Sequence, residues 1–224
     1  VIHLQNISKS YPSKAGRIQA VDDVTLTIAD GERIGVLGKN GAGKSTLIRL
    51  IGGVEEPSVG RIRRTMTVSW PLAFRGATQN NLTGIENIRF ISRIYNKNID
   101  EILSKTEEFA ELGKRLYDPV STYSSGMRAK MSFGLSLAVE FDCYLIDEIT
   151  AVGDKRFREK CRFELLEKRK ERSIVMVSHN PLTIKEYCTV CVAMDKGKFV
   201  DKFYTAGNLT RLKRWQEALL DEGA

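Results

Sequence analysis

The stretch RIGVL–GKNGAGKST, Arg33 to Thr46, decides the fold. RIGVL is a short apolar run that stops at Gly38, as a buried central strand does. GKNGAGKS then fits G-x-x-x-x-G-K-[ST], and TLIRLI, Thr46 to Ile51, has helical apolar spacing. The order strand, glycine-rich loop, helix has a physical purpose. Gly41 and Gly43 let the backbone fold tightly enough for successive N–H groups to converge on an anion. The helix that follows adds its positive dipole end. Residues Gly38, Lys39, Asn40, Gly41, Ala42, Gly43, Lys44, Ser45 and Thr46 are therefore expected to cradle a nucleotide's phosphates. Lys44 would reach the β- and γ-phosphates and the Ser45 hydroxyl would ligate Mg²⁺. Residue frequencies alone produce this pattern in roughly 1% of chains this long, and the strand–helix context lowers that.

Two further strands carry chemistry at their ends. CYLIDE, Cys143 to Glu148, is a buried strand closing in two carboxylates. Adjacent buried carboxylates are unfavourable unless something neutralises them. Asp147 is expected to hold Mg²⁺, directly or through water, and Glu148 to orient or deprotonate an attacking water. His179 follows another apolar strand, SIVMVS, and would stand beside the phosphates if the two strands are neighbours.

Around these pieces, residues 1–37 read as strand, with Val24, Leu26 and Ile28 alternating with threonines. Helical spacing covers Ile85 to Tyr95, Ile99 to Leu112 and Ser125 to Glu140. The α/β pattern returns at Cys143, with a charged helix from Lys155 to Arg172, a short helix from Pro181 to Tyr187, and a hairpin turning at Lys196-Gly197. An amphipathic helix, Leu209 to Leu220, follows. The layout is an α/β core interrupted by a helical insertion.

Composition sets limits on function. The 224 residues are 42% hydrophobic and 28% charged, a globular balance that excludes disordered and collagen-like chains. The most apolar stretch, Met131 to Phe141, is broken by Ser132, Ser136 and Glu140 and falls short of the roughly 18 residues a spanning helix needs. Val1 to Ser10 reads as a strand rather than a secretory signal, so a soluble, cytoplasmic protein is expected. The net charge of +7 suggests an anionic partner: nucleic acid, a membrane surface or a phosphorylated ligand. Cys188-x-x-Cys191 sits among Val190, Val192 and Ala193 and reads as buried strand, not as half of a zinc site.

The motifs in this order resemble the nucleotide-binding subunit of ABC transporters. YSSGM at 123–127 is similar to that family's signature loop, usually LSGGQ. AVGD at 151–154 looks like its D-loop, His179 like its switch histidine, and Tyr11 stands where an aromatic ring stacks on adenine. The signature departs at Tyr123, Ser125 and Met127 but keeps Ser124 and Gly126, and Ile149 replaces the usual Pro after the catalytic Glu. Gln79 is assigned as the Q-loop glutamine near the metal. SWPLAF, LTG with Glu86-Asn87, TYSSGM and YLIDEITAVGD resemble most the ATP-binding subunits of Gram-negative capsule polysaccharide exporters. With about 45 residues after His179, the carbohydrate-binding domain that some O-antigen exporters carry is not expected, which favours the capsule branch.

The resemblance implies a P-loop NTPase fold with an α/β core at about 1–79 and 141–207, an antiparallel β subdomain, a helical subdomain at about 80–140, and a C-terminal helix at about 208–224. It implies ATP and Mg²⁺ as ligands. Two copies would bind head to tail, with ATP between Lys44, Ser45 and Asp147 of one and Ser124, Ser125 and Gly126 of the other, and Asp154 of the D-loop also among the nucleotide-binding residues. Further implied partners are an integral membrane permease and, through it, periplasmic and outer-membrane export components. The implied place is the cytoplasmic face of the inner membrane. Phe74, Phe90, Ile91, Ile94 and Tyr95 either offer a groove to the permease or form the lobe's own core. The basic residues between Lys155 and Arg172 read as a solvated face paired with Glu159, Glu164, Glu167 and Glu171, and Arg211, Lys213, Arg214 and Trp215 as solvated or touching headgroups or glycan. An O-antigen or teichoic-acid exporter is the nearest alternative. A soluble ATPase acting on nucleic acid or ribosomes would need paired cassettes or long coiled coils, which this sequence lacks, so no nucleic acid partner is expected.

Overall fold

The computed structural model describes residues 1–14, 16–72, 78–147 and 155–221. The expected central strand is there. β3 (Arg33–Leu37) is buried along its whole length and lies in a six-stranded sheet of order β5-β6-β7-β3-β8-β9. Its neighbours are both parallel to it: β7 (Ser173–Ser178) on one side and β8 (Val190–Asp195) on the other. β6 (Cys143–Asp147) is parallel to β7, and β9 (Lys198–Tyr204) closes one edge antiparallel to β8. β5 (Val68–Leu72) forms the other edge. Strands buried on both faces need continuous apolar runs, and SIVMVS and CYLI supply them.

A second, antiparallel sheet has the order β2-β1-β4, from β1 (Ile2–Ser13), β2 (Gly16–Ile28) and β4 (Val59–Arg64). Its inner face, Ile2, Leu4, Ile7, Val24, Leu26 and Ile28, joins Leu47, Ile48, Leu50 and Ile51 of α1 (Lys44–Ile51) and Ile34, Val36, Val175 and Val192 of the larger sheet in one core. Burial on this scale, at about 25 cal/mol per Å² of apolar surface, fixes α1 and with it the loop that precedes it. α6 (Pro181–Tyr187) and α7 (Leu209–Asp221) pack with this part of the chain.

The chain divides into two compact units, 1–71 with 142–148 and 170–224, and 72–141 with 149–169. The second contains α2 (Gly84–Ile94), α3 (Ile99–Ala110), α4 (Ser125–Val139) and α5 (Lys155–Phe163), which runs on through a wider helical turn at Glu164–Lys168. Its helices start where the sequence caps them. Thr83 and Glu86 form a reciprocal capping box on α2, Asn98 accepts from Glu101 N on α3, and Ser124 accepts from Met127 N on α4. α3 and α4 approach closely at Gly134, where a Cβ would meet Thr106 O at 3.1 Å and the Phe109 ring at 3.2 Å.

This unit extends beyond the expected 80–140 lobe: it starts at 72 and α5 belongs to it. Phe157 packs edge-on against Phe109 and Phe133, at 5.6 and 6.0 Å between centroids. The expected charged helix from Lys155 to Arg172 stops being regular at Phe163, and its cations are not simply paired along it. Lys168 and Arg169 do meet Glu164, but Lys160 and Arg156 turn to Glu111 after α3. On α2, Ile91 is core and Phe90 and Ile94 are exposed, while Tyr95 at its C-cap stacks edge-on against Phe141 at 5.3 Å. Phe74 lies outside the described residues. All four cysteines are buried and free, and burial pushes the Cys143, Cys161 and Cys191 thiols up to about 12.

Candidate active site

Parallel strands deliver their carboxyl ends to one edge of a sheet, and in open α/β sheets ligands bind at that edge. Here β7 lies between β3 and β6, with Leu37 opposite Ser178 and Asp147 opposite Val177. The loop after Leu37, the carboxylate of Asp147 and His179 therefore leave the same edge side by side. The neighbour condition on His179 is met; its side chain is exposed, and Asn180 just beyond it caps α6 by accepting from Leu182 N at 2.9 Å.

The loop itself is shaped for an anion. Gly43 caps α1 in a left-handed conformation, φ 100°, with no side-chain cap and no acidic residue in the first turn. The first N–H groups of α1 thus keep their donor capacity for a ligand. Gly43 admits no side chain, because a Cβ would lie 2.0 Å from Ala20 O. Ala42 and Gly197 pin the loop from the other side, through a 3.0 Å hydrogen bond from Gly197 N to Ala42 O. Lys44 is buried and donates to Gly38 O at 2.7 Å and Lys39 O at 2.8 Å, so its ammonium is held over the loop.

Asn40, Gly41, Gly43, Lys44, Ser45, Thr46 and Asp147 line a cleft of about 270 Å³ together with Ile18, Gln19 and Ala20 of β2. The hydroxyl of Ser45 and the carboxylate of Asp147 are hard oxygen donors, too few for a closed protein cage and suited to Mg²⁺ that shares its shell with phosphates and water. The donor set and the glycine cradle fit a Mg²⁺-nucleotide. Ile18, Gln19 and Ala20 carried no motif. The signal that could have found them is Ile18, a 59% exposed apolar residue paired in register with Tyr11.

Tyr11 is half-buried, and its hydroxyl donates to Glu55, with Arg49 and Lys9 around it. Glu148 and Asp154 lie outside the described residues. In the helical unit, Gln79 is exposed and its backbone is gripped in both directions by the Asn87 amide, at 2.7 and 3.0 Å. Ser124 and Ser125 are exposed at the start of the 15-residue α4, whose first turn holds no acid. Tyr123, which replaces the usual leucine, is buried and donates to Arg115 O at 2.7 Å, fixing the loop from below. Arg128 donates to Tyr123 O at 2.5 Å.

Residues 21–151 match the family described as ABC transporter. The chain belongs to that family. The cassette is 57% identical over 88% of its length, and 91% of the relative's, to the capsule polysaccharide export ATP-binding protein CtrD of Neisseria meningitidis serogroup B. It is 51% identical to the ATP-binding protein BexA of Haemophilus influenzae, over 94% of this chain and all of that one (100%). Among solved structures it is similar to a dimeric ATP-binding cassette in a post-hydrolysis state bound to ADP and Pi, with a TM-score of 0.78 at 20% identity, covering 92% of this chain and 100% of that one. The structural likeness supports the fold, that of an ABC ATPase cassette.

Proposed function

We propose that the cassette is the ATP-hydrolysing subunit of an exporter that moves lipid-linked capsular polysaccharide across the inner membrane. The observation that carries this is the 57% identity, over 88% of the chain, to a capsule polysaccharide export ATP-binding protein. The cleft supports the chemistry. Lys44 and the α1 N-terminus counter the phosphate charge, which is about four on ATP and holds two surfaces together only if both supply donors. Ser45 and Asp147 hold Mg²⁺; when bound, the ion neutralises charge that develops on the phosphates. Glu148 takes the proton of the attacking water and His179 orients the γ-phosphate. Ser124, Ser125 and Gly126, with the α4 N-terminus, close on the nucleotide of a second copy in a head-to-tail dimer, and Asp154 belongs to that interface. ATP is thus the adhesive and hydrolysis releases it.

Among the described residues no helix is long and apolar enough to cross a membrane. The pathway then belongs to a permease partner, with the cassette peripheral on the cytoplasmic face and periplasmic and outer-membrane components beyond. Exposed Phe90 and Ile94 on α2 suit a docking helix of the permease. The test is complementation. In an acapsular strain lacking its own cassette, this chain restores surface capsule and Lys44→Ala does not. Surface capsule at parental level with Lys44→Ala would overturn the reading.

A further inference from the structure

Behind the cleft stands an ion pair that none of the sequence motifs includes. Glu55 follows α1, and its Oε1 accepts from Arg49 Nε at 2.5 Å. Its Oε2 accepts the hydroxyl proton of Tyr11, forty-four positions away along the chain. Arg49 Nη2 reaches the Tyr11 oxygen at 3.4 Å and the Thr46 hydroxyl, on the cleft wall, at 3.3 Å. Lys9 adds a cation 3.7 Å from Glu55 and 5.4 Å from the centre of the Tyr11 ring, while donating to Glu56 O at 2.7 Å. Arg49 and Glu55 keep only 30% and 24% of their side chains exposed. Burial works against both charges, but the hydrogen bonds from Tyr11 and Arg49 outweigh it and hold the Glu55 carboxyl below the usual range, and the same partners hold Arg49 above its own. The pair stays ionised at neutral pH and the Tyr11 hydroxyl keeps a charged acceptor.

We propose that Glu55 and Arg49 are positioning residues that anchor the Tyr11 ring against the helix carrying the P-loop. The ring is at the far end of β1, beside the hairpin turn, and pairs in register with Ile18, which lines the cleft. A ring there would otherwise swing about its Cα–Cβ bond, and stacking on a base depends on where the ring stands. The hydroxyl tether removes that swing. Because Arg49 belongs to α1, the base platform and the phosphate loop share one rigid support. This rests on the reading of the cleft as an ATP site with Tyr11 as its base platform.

The experiment compares ATP with magnesium tripolyphosphate, which has the phosphates and no base, by calorimetric titration of the full chain. The parent binds ATP more tightly than tripolyphosphate; equal binding of the two would overturn the base-platform reading rather than this inference. Tyr11→Phe keeps the ring and loses the tether. Both it and Glu55→Gln weaken ATP binding about 3- to 10-fold and leave tripolyphosphate binding at the parental value. The double variant is no worse than either single one, since both break the same link. A parental ATP-to-tripolyphosphate ratio in folded Tyr11→Phe and Glu55→Gln overturns the proposal, as do additive losses. If Glu55→Gln does not fold, Tyr11→Phe and Arg49→Lys decide the matter by the same ratio.

Discussion

Two glycines, one on each side of Ala42, separate backbone freedom from space. Gly41 and Gly43 both have positive φ, 82° and 100°, a region that disfavours any side chain by about 1–2 kcal/mol. They differ in what surrounds them. A Cβ on Gly41 meets nothing within 4 Å, whereas one on Gly43 falls 2.0 Å from Ala20 O and 3.0 Å from the Met194 methyl. Ala20 O is backbone of β2, a strand held by β1, so the near contact is not the far end of a flexible side chain. Relief requires a shift of about 1 Å in either β2 or the start of α1, comparable to overpacking a core at roughly 1–3 kcal/mol. Gly43→Ala is therefore expected to cost roughly 2–5 kcal/mol and Gly41→Ala about 1–2 kcal/mol.

The assay is urea unfolding of nucleotide-free protein, followed by far-ultraviolet circular dichroism. Each kcal/mol should also lower the melting temperature by about 2–4 °C in a domain of this size. Nucleotide is left out because a methyl on Gly41 would project into open space that ATP can occupy. If Gly43→Ala is no less stable than Gly41→Ala, the tight approach of β2 to the loop is wrong, and with it the idea that the cradle's shape is set by its neighbours.

Three other outcomes are expected. Glu148→Gln should trap an ATP-filled dimer with little turnover, seen as a dimer peak in size exclusion with ATP; parental hydrolysis would remove Glu148 from the role of base. Phe90→Asp should leave ATPase activity of the free cassette unchanged and abolish capsule export, and export at parental level would move the permease contact elsewhere. The third concerns Asp201, which accepts from Arg211 at 2.5 and 2.9 Å and from Trp215 Nε1 at 2.7 Å, clasping α7 to β9. Burial raises its pKa, but the bonds from Arg211 and Trp215 outweigh that and hold it below the usual range. A depressed carboxyl stabilises the fold above about pH 4 and loses that contribution as pH falls through the lowered value. In a Trp70→Phe background, Trp215 emission should shift to the red on acidification and already be red-shifted at pH 7 in Asp201→Asn; an unchanged spectrum would show that the clasp does not hold the helix.

That clasp also marks where sequence reading stopped. Arg211 and Trp215 read as solvated or as touching lipid or glycan, and both are engaged by an aspartate on a neighbouring strand. The runs before the P-loop, Asp147 and His179 were legible because each is short, continuous and apolar, as a strand buried on both faces is. Their adjacency needed the strand order, which no periodicity contains. β4 was missed because VGRIRR, Val59 to Arg64, has one inward residue, Ile62, among three arginines. An edge strand tolerates such charges. Tyr11 was found as a ring, but its anchor, Glu55, is a contact between distant segments and leaves no local pattern.

The basic surplus is the clearest case of a bulk property whose meaning depends on the fold. A charge of +7 points outward on composition alone, to nucleic acid or a membrane. Several of its cations face inward instead. Arg64 donates to Leu50 O and Ile51 O at the end of α1, at 2.5 and 2.8 Å. Lys160 donates to Glu108 O and Phe109 O at the end of α3, at 2.7 and 3.0 Å. Arg169 donates to Leu137 O near the end of α4 at 3.2 Å. Each meets carbonyls that have no partner within their own helix, where the macrodipole is negative. α3 shows why: its C-cap is Glu111 in a left-handed conformation, not the glycine that commonly serves there, and Lys160 also pairs with the Glu111 carboxylate at 2.7 Å. The chain ends three helices with cations borrowed from other elements, so part of the charge that composition assigns to a partner is already matched inside the protein.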